Sequence, residues 1–133
     1  MDIGINMKTL LLILSLLLIT TNAYAEWTLY FINAEGSDHF YDKSTIKRNG
    51  DKVKVWAYMN FTDERAKSLN VASVRLLEEI DCVNETSKHL IFHRFTKSDL
   101  EGDMKDMTRP NPTISYIVPD SPNADLMKLV CKK

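Results

Sequence analysis

The chain has 133 residues, 44% of them hydrophobic, with a formal net charge of −1 at pH 7. That length suits one domain and, once a leader is removed, is too short for two. The near balance of charge argues against a nucleic-acid binder, which carries a basic footprint, and supplies no cationic cluster for an anionic membrane surface.

Residues 1–25 have the three-part layout of a secretory signal, starting at Met1 or at Met7. Lys8 gives the positive region, Leu10 to Ile19 is apolar apart from Ser15, and Ala23-Tyr24-Ala25 is an A-x-A motif that predicts cleavage between Ala25 and Glu26. The apolar stretch is about half of the roughly 20 residues that span a bilayer, so residues 26–133 are expected to form an exported domain with no membrane span. No cysteine stands near the cut, so a lipid anchor of the bacterial lipoprotein type is not expected.

In the mature part, Trp27 to Ile32 reads as a strand, and the polar stretch 33–38 with Gly36 reads as a turn. Phe40-Tyr41 belongs to a second strand. Asn49-Gly50 is the strongest short hairpin signal in the chain. Beyond it Val53, Val55, Ala57, Met59 and Phe61 share one face, expected to be the core face. Lys52, Lys54, Trp56, Tyr58 and Asn60 share the other. Residues 62–70 read as a loop. In Val71 to Cys82 the even positions Val74, Leu76, Glu78, Ile80 and Cys82 alternate with Arg75, Glu79 and Asp81, which predicts a strand with Cys82 facing the core. A helix over the same stretch stays open, because residues 75–80 are good helix formers. Residues 84–88 read as a turn, 90–95 as a strand, 97–112 as a long loop and 113–118 as a last short strand. Ser121 as N-cap, Pro122 at the first helical position and Asp125 in the first turn open a helix in which Leu126, Leu129 and Val130 have helical spacing.

Cys82 and Cys131 are the only cysteines, and in an oxidising compartment they allow one intramolecular bridge. Closing a loop of about 50 residues is worth roughly 4 kcal/mol in the chain-entropy model. The bridge would fasten the terminal helix to the apolar face of the sheet. The expected fold is therefore α+β: an antiparallel sheet of about five or six strands with a C-terminal helix packed on one face and held by a disulfide.

The chain shows little chemistry. His89 and His93 would share a strand face about 13 Å apart, too far to ligate one metal; on a helix they would be neighbours, still without a third ligand. Glu78 and Glu79 face opposite sides. Asp99, Glu101, Asp103 and Asp106 lack the full ligand pattern of a calcium loop. With the cysteines bridged and no nucleophile elbow, P-loop or H-E-x-x-H present, no enzyme activity, cofactor or metal is expected. The row of Lys52, Lys54, Trp56 and Tyr58 is the candidate protein-binding surface if exposed, since interface cores favour Trp and Tyr; the alternative is that a loop or second layer covers it.

Several segments carry a resemblance: Trp27, Tyr41-Asp42, Ile46, Arg48-Asn49-Gly50, Val53-Lys54-Val55-Trp56, Ser73, Glu79-Ile80-Asp81-Cys82, Gly102, Pro119-Asp120-Ser121 and Leu129-Val130-Cys131. Together with the leader they resemble the surface-adhesin protein E-like family of Gram-negative bacteria. The chain departs from that pattern at Tyr116 and Asp120, where Trp and Gly are expected. The resemblance implies an antiparallel sheet covered by a disulfide-held C-terminal helix, and an adhesin-like domain that engages host matrix glycoproteins or another envelope protein. The alternative is a soluble periplasmic accessory or inhibitor; the two differ in location, periplasm against cell surface or medium.

Overall fold

A computed structural model describes residues 4–17 and 25–132. Helix α1 (Met7–Leu17) overlaps the apolar stretch of the expected leader, and its side chains from Met7 to Leu16 are exposed. Ala23 and Tyr24 of the cleavage motif lie outside the described residues, while Ala25 and Glu26 are exposed. Among the described residues no helix is long and apolar enough to cross a membrane.

The other described residues are built around one antiparallel sheet of eight strands: β1 (Trp27–Ile32), β2 (Asp38–Asp42), β3 (Lys47–Asn49), β4 (Lys52–Asn60), β5 (Ser73–Asp81), β6 (Thr86–Phe95), β7 (Met104–Asp106) and β8 (Ser115–Tyr116). The main path runs β1-β2-β4-β5-β6-β7. Strands β2 and β3 lie end to end along one edge of β4, separated by a 3-10 turn at Lys43–Thr45; β7 and β8 share the outer edge of β6 in the same way. These split strands account for the count exceeding five or six.

Alternation in β4 and β5 decides which face is the core. Val53 pairs with Ile80, Val55 with Glu78 and Ala57 with Leu76, and all six are buried. Directly paired side chains point the same way, so the helical alternative for the β5 segment is excluded. Besides the short helix α2 (Glu64–Ser68) there is the terminal helix α3 (Pro122–Val130), which packs onto this face. Leu126 and Val130 enter a cluster with Tyr41, Val53, Val55, Ala57 and Ile80. Leu129, expected in the stripe, is 36% exposed, and Ala124 is buried in its stead.

Both ends of α3 are held. Ser121 caps it, its hydroxyl accepting from the Ala124 amide at 3.2 Å. At the other end Cys131 is bridged to Cys82, with Cα atoms 5.8 Å apart. Arg48 on β3 adds a second clasp, donating from Nη2 to the carbonyls of Val130 and Lys132 at 2.8 Å each. Those carbonyls lie at the helix end, where the backbone has no intrahelical donors left.

Several local expectations change. The hairpin is present, but Asn49 pairs with Lys52, so the two loop residues are Gly50-Asp51 and the positive φ of 61° falls on Gly50. Residues 62–70 contain α2, started by Asp63 accepting from the Ala66 amide at 2.7 Å. Strand β6 begins at Thr86 because the Asp81 carboxylate gathers the amides of Val83 and Asn84, and the turn closes at Glu85, φ 54°. Residues 97–112 include β7. Its approach turns at Gly102, φ 80°, where a Cβ would collide with the Thr96 hydroxyl. Buried Ser73 anchors the same loop, donating to the Lys97 carbonyl at 2.6 Å and accepting from the Leu100 amide at 3.0 Å. Asp120 has φ 60°, so the departure from glycine falls where the backbone is left-handed. In the 113–118 segment only Ser115 and Tyr116 pair as strand.

Replacing both cysteines with serine is expected to lower stability by about 2–5 kcal/mol, read as a shift of the urea midpoint. Arg48→Ala should cost about 1 kcal/mol in the same measurement. The unreduced native protein, with no free cysteine, should take up no alkylating reagent by mass.

Candidate binding surface and cleft

The row Lys52, Lys54, Trp56, Tyr58 does not form one open strip. Lys52 and Lys54 are exposed, Trp56 is half-buried and Tyr58 is buried. Trp27 meets the Tyr58 ring edge-on at 4.8 Å and Phe40 stacks on it at 4.6 Å. Asp99, from the loop before β7, accepts from the Tyr58 hydroxyl at 3.4 Å and from Asn60 Nδ2 at 2.9 Å. Burial first, then the charges of Asp99 and Asp38, push the Tyr58 hydroxyl up to about 12. Trp56 lies under the Arg75 guanidinium, 5.6 Å from the ring centre, and Arg75 also sits 5.3 Å from the Phe95 ring centre. The covering layer left open by the sequence is thus present over the aromatic half of the row. Asp106, the last residue of β7, accepts from the Thr108 amide at 2.9 Å and so holds the turn that follows the strand.

An exposed apolar strip lies on the other flank of the sheet. Ile114, Tyr116 and Val118 are 65%, 84% and 64% exposed, at alternate positions of the extended segment through β8. Ile117, between them in sequence, packs on the core. The outward side of an edge strand is apolar here, where edges are usually guarded by charge.

Tyr116 and Val118 also form one wall of a cleft of about 320 Å³ between the sheet and the start of α3. Tyr30, His39, Glu78 and His89 line its strand side. Glu78 occupies a core-face position on β5 and is 2% exposed. Its Oε1 meets His89 Nε2 at 3.1 Å. In the sequence Glu78 is the polar member of an otherwise apolar face of β5, and its partner comes only with the register of β6. The pairing depends on a bulge: Leu77 faces Ile91 and Glu78 faces His89, which leaves Leu90 unmatched. The extra residue turns the two histidines to opposite faces, correcting the expectation that they share one. His93 meets Arg75 instead, Nδ1 to Nη2 at 2.9 Å. Among the described residues no group of three or more His, Cys, Asp or Glu is placed to hold a metal.

The two histidines of the cleft are shifted oppositely. The hydrogen bond to Glu78 raises His89 above its ordinary 6.5 against the cost of its burial. Burial lowers His39, only partly offset by the Asp38 charge. Burial, then Glu78 and Asp125, raises the Tyr30 hydroxyl well above the ordinary phenol range. By linkage, the His89 contribution to stability is complete below 6.5 and lost as pH rises through the folded value; the His39 contribution is present above 6.5 and lost as pH falls through its folded value. Urea midpoints across pH 5–8 should therefore show two limbs. His39→Phe, which keeps the ring beside Tyr30 and Phe31, should flatten the acid limb. His89→Gln should flatten the alkaline one. Unchanged limbs in both variants would contradict the assignment.

Comparison with known proteins bears on the domain as a whole. The family model described as surface-adhesin protein E matches residues 27–132. No curated protein matches the chain by sequence. Among solved structures, crystal form II of Haemophilus influenzae protein E superposes with a TM-score of 0.60 at 14% identity, covering 84% of this chain and 91% of that one. The selenomethionine form of the same protein gives 0.60 and 14%, covering 84% and 89%. Protein E from non-typeable Haemophilus influenzae gives 0.55 and 13%, covering 84% and 78%. At such identities the structural likeness speaks for a shared fold, and the family match over residues 27–132 speaks for descent. The chain belongs to the surface-adhesin protein E family.

Proposed function

We propose that residues 26–133 form the exported domain of a non-enzymatic, adhesin-like surface protein that binds a protein partner, a host matrix protein or another envelope protein, through the outer edge of the sheet at β8. The observation that carries this reading is the strip of Ile114, Tyr116 and Val118, three large apolar side chains left to solvent on one side of an edge segment. Burying such a strip is worth about 25 cal/mol per Å² of apolar surface, which a monomer gains only by association. Family membership supports the adhesin class, and the leader pattern of residues 1–25 supports export. The aromatic part of the Trp56–Tyr58 row is a weaker route, because Tyr58 is already covered.

Purified protein should bind immobilised vitronectin or laminin in a saturable way. The variant carrying Ile114→Ser, Tyr116→Ser and Val118→Ser should bind at least tenfold more weakly with an unchanged thermal melt, while Lys54→Ala should bind as wild type. Binding no better than that of a reduced, unfolded control would reject a matrix role. Protease added to whole cells should digest the protein; full protection there would place it in the periplasm, as an accessory to another envelope component.

A further inference from the structure

The cleft beneath the exposed strip has a chemistry that a purely apolar contact would not need. Glu78 lies at its strand side in an otherwise mostly apolar wall, and only one of its oxygens is matched: Oε1 by His89, while buried Oε2 has no hydrogen-bond partner. A buried carboxyl oxygen without a donor is unfavourable and calls for a partner from outside the fold, solvent or a ligand. Among the described residues lining the cleft there is no lysine or arginine, so the titratable His89, on Oε1, is the one cationic partner Glu78 has there, and Oε2 faces none.

We propose that this cleft receives the ammonium group of a lysine side chain on the protein partner, with Glu78 as its counter-ion. The inference rests on the partner-binding reading above and names the group that partner presents. Tyr30, whose ring lies edge-on to His39 and Tyr41, offers ring surface to the aliphatic stem of a lysine and to its charged head, and Tyr116 lines the opposite wall. One free oxygen suits a single-point donor. A guanidinium binds best to two carboxylate oxygens side by side, and here the second is held by His89. The neighbouring start of α3 does not reverse this preference for a cation. Pro122 has no N–H, the Ala124 amide is taken by the Ser121 hydroxyl, the Asp125 amide bonds the Ser121 carbonyl, and Asp125 itself places a negative charge in the first turn. An ammonium seated there would lie beside the exposed apolar strip, the arrangement of an anchor side chain within a hydrophobic rim.

The test is a side-chain NMR titration of the exported, full-length product with Nα-acetyl-lysine amide, Nα-acetyl-arginine amide and the uncharged Nα-acetyl-norleucine amide. The lysine probe should give saturable shifts at Glu78, His89 and Tyr30, at least tenfold tighter than norleucine and tighter than arginine. Glu78→Gln should abolish the lysine preference. Tyr116→Ala, an exposed site that leaves folding intact, should weaken lysine binding several-fold. Lysine binding no better than norleucine, arginine binding tighter than lysine, or an unaltered preference in Glu78→Gln would overturn the assignment. Protein that captures vitronectin or laminin but ignores the lysine probe sinks this inference alone; protein that binds the probe but neither matrix protein sinks the matrix reading alone.

Discussion

A nine-residue helix cannot hold itself together in water, so α3 exists because it is fastened at both ends onto an apolar sheet. The Cys82–Cys131 bridge joins the middle of the chain to its end, and Leu126 and Val130 fill the space over Val53, Val55 and Ile80. Arg48 adds a charged donor to the helix carbonyls from a third element. The same fastening defines the cleft, because the segment before α3 must cross the end of the sheet to reach its cap, bringing Tyr116 and Pro122 opposite Glu78 and His89. Core and cleft are thus two consequences of one constraint.

The residues that carry the family resemblance are mostly the ones that maintain this arrangement. Asp42 is buried and accepts from the Ser44 amide, forming the 3-10 turn that divides β2 from β3. Arg48 clasps the helix end, Ser73 and Gly102 shape the loop before β7, and Cys82 and Cys131 form the bridge. A pattern of this kind identifies an architecture. The exposed strip proposed to meet a partner, by contrast, consists of Ile114, Tyr116 and Val118, none of which is among the residues that carry the resemblance, and Tyr116 departs from the family pattern. On the proposed reading, fold and ligand choice rest on different parts of the chain, as is general for scaffolds that host many functions.

The second face of the sheet illustrates how packing overrides a strand-by-strand reading. Tyr58 and Trp56 lie on the side opposite the helix, and alternation alone left them either open or covered. Trp27 from β1, Phe40 from β2, Arg75 from β5 and the Asp99 loop all converge on them. Each neighbour comes from a separate part of the chain, so no local window could register the cover.

What the amino-acid sequence determined by itself was whatever depends on neighbours a few residues away or on a unique pairing. The period-2 core faces of β4 and β5, the Ser121-Pro122 start of α3, and the single bridge available to two cysteines are of that kind. The tertiary structure alone decided what depends on register between distant strands. The bulge at Leu90 puts His89 against Glu78 and sends His93 to the other face, and the β6 edge recruits β7 from a stretch that reads as loop. One unmatched residue inverts every side chain beyond it, and nothing in the local sequence announces that residue, so the cleft became visible only with the strands in place.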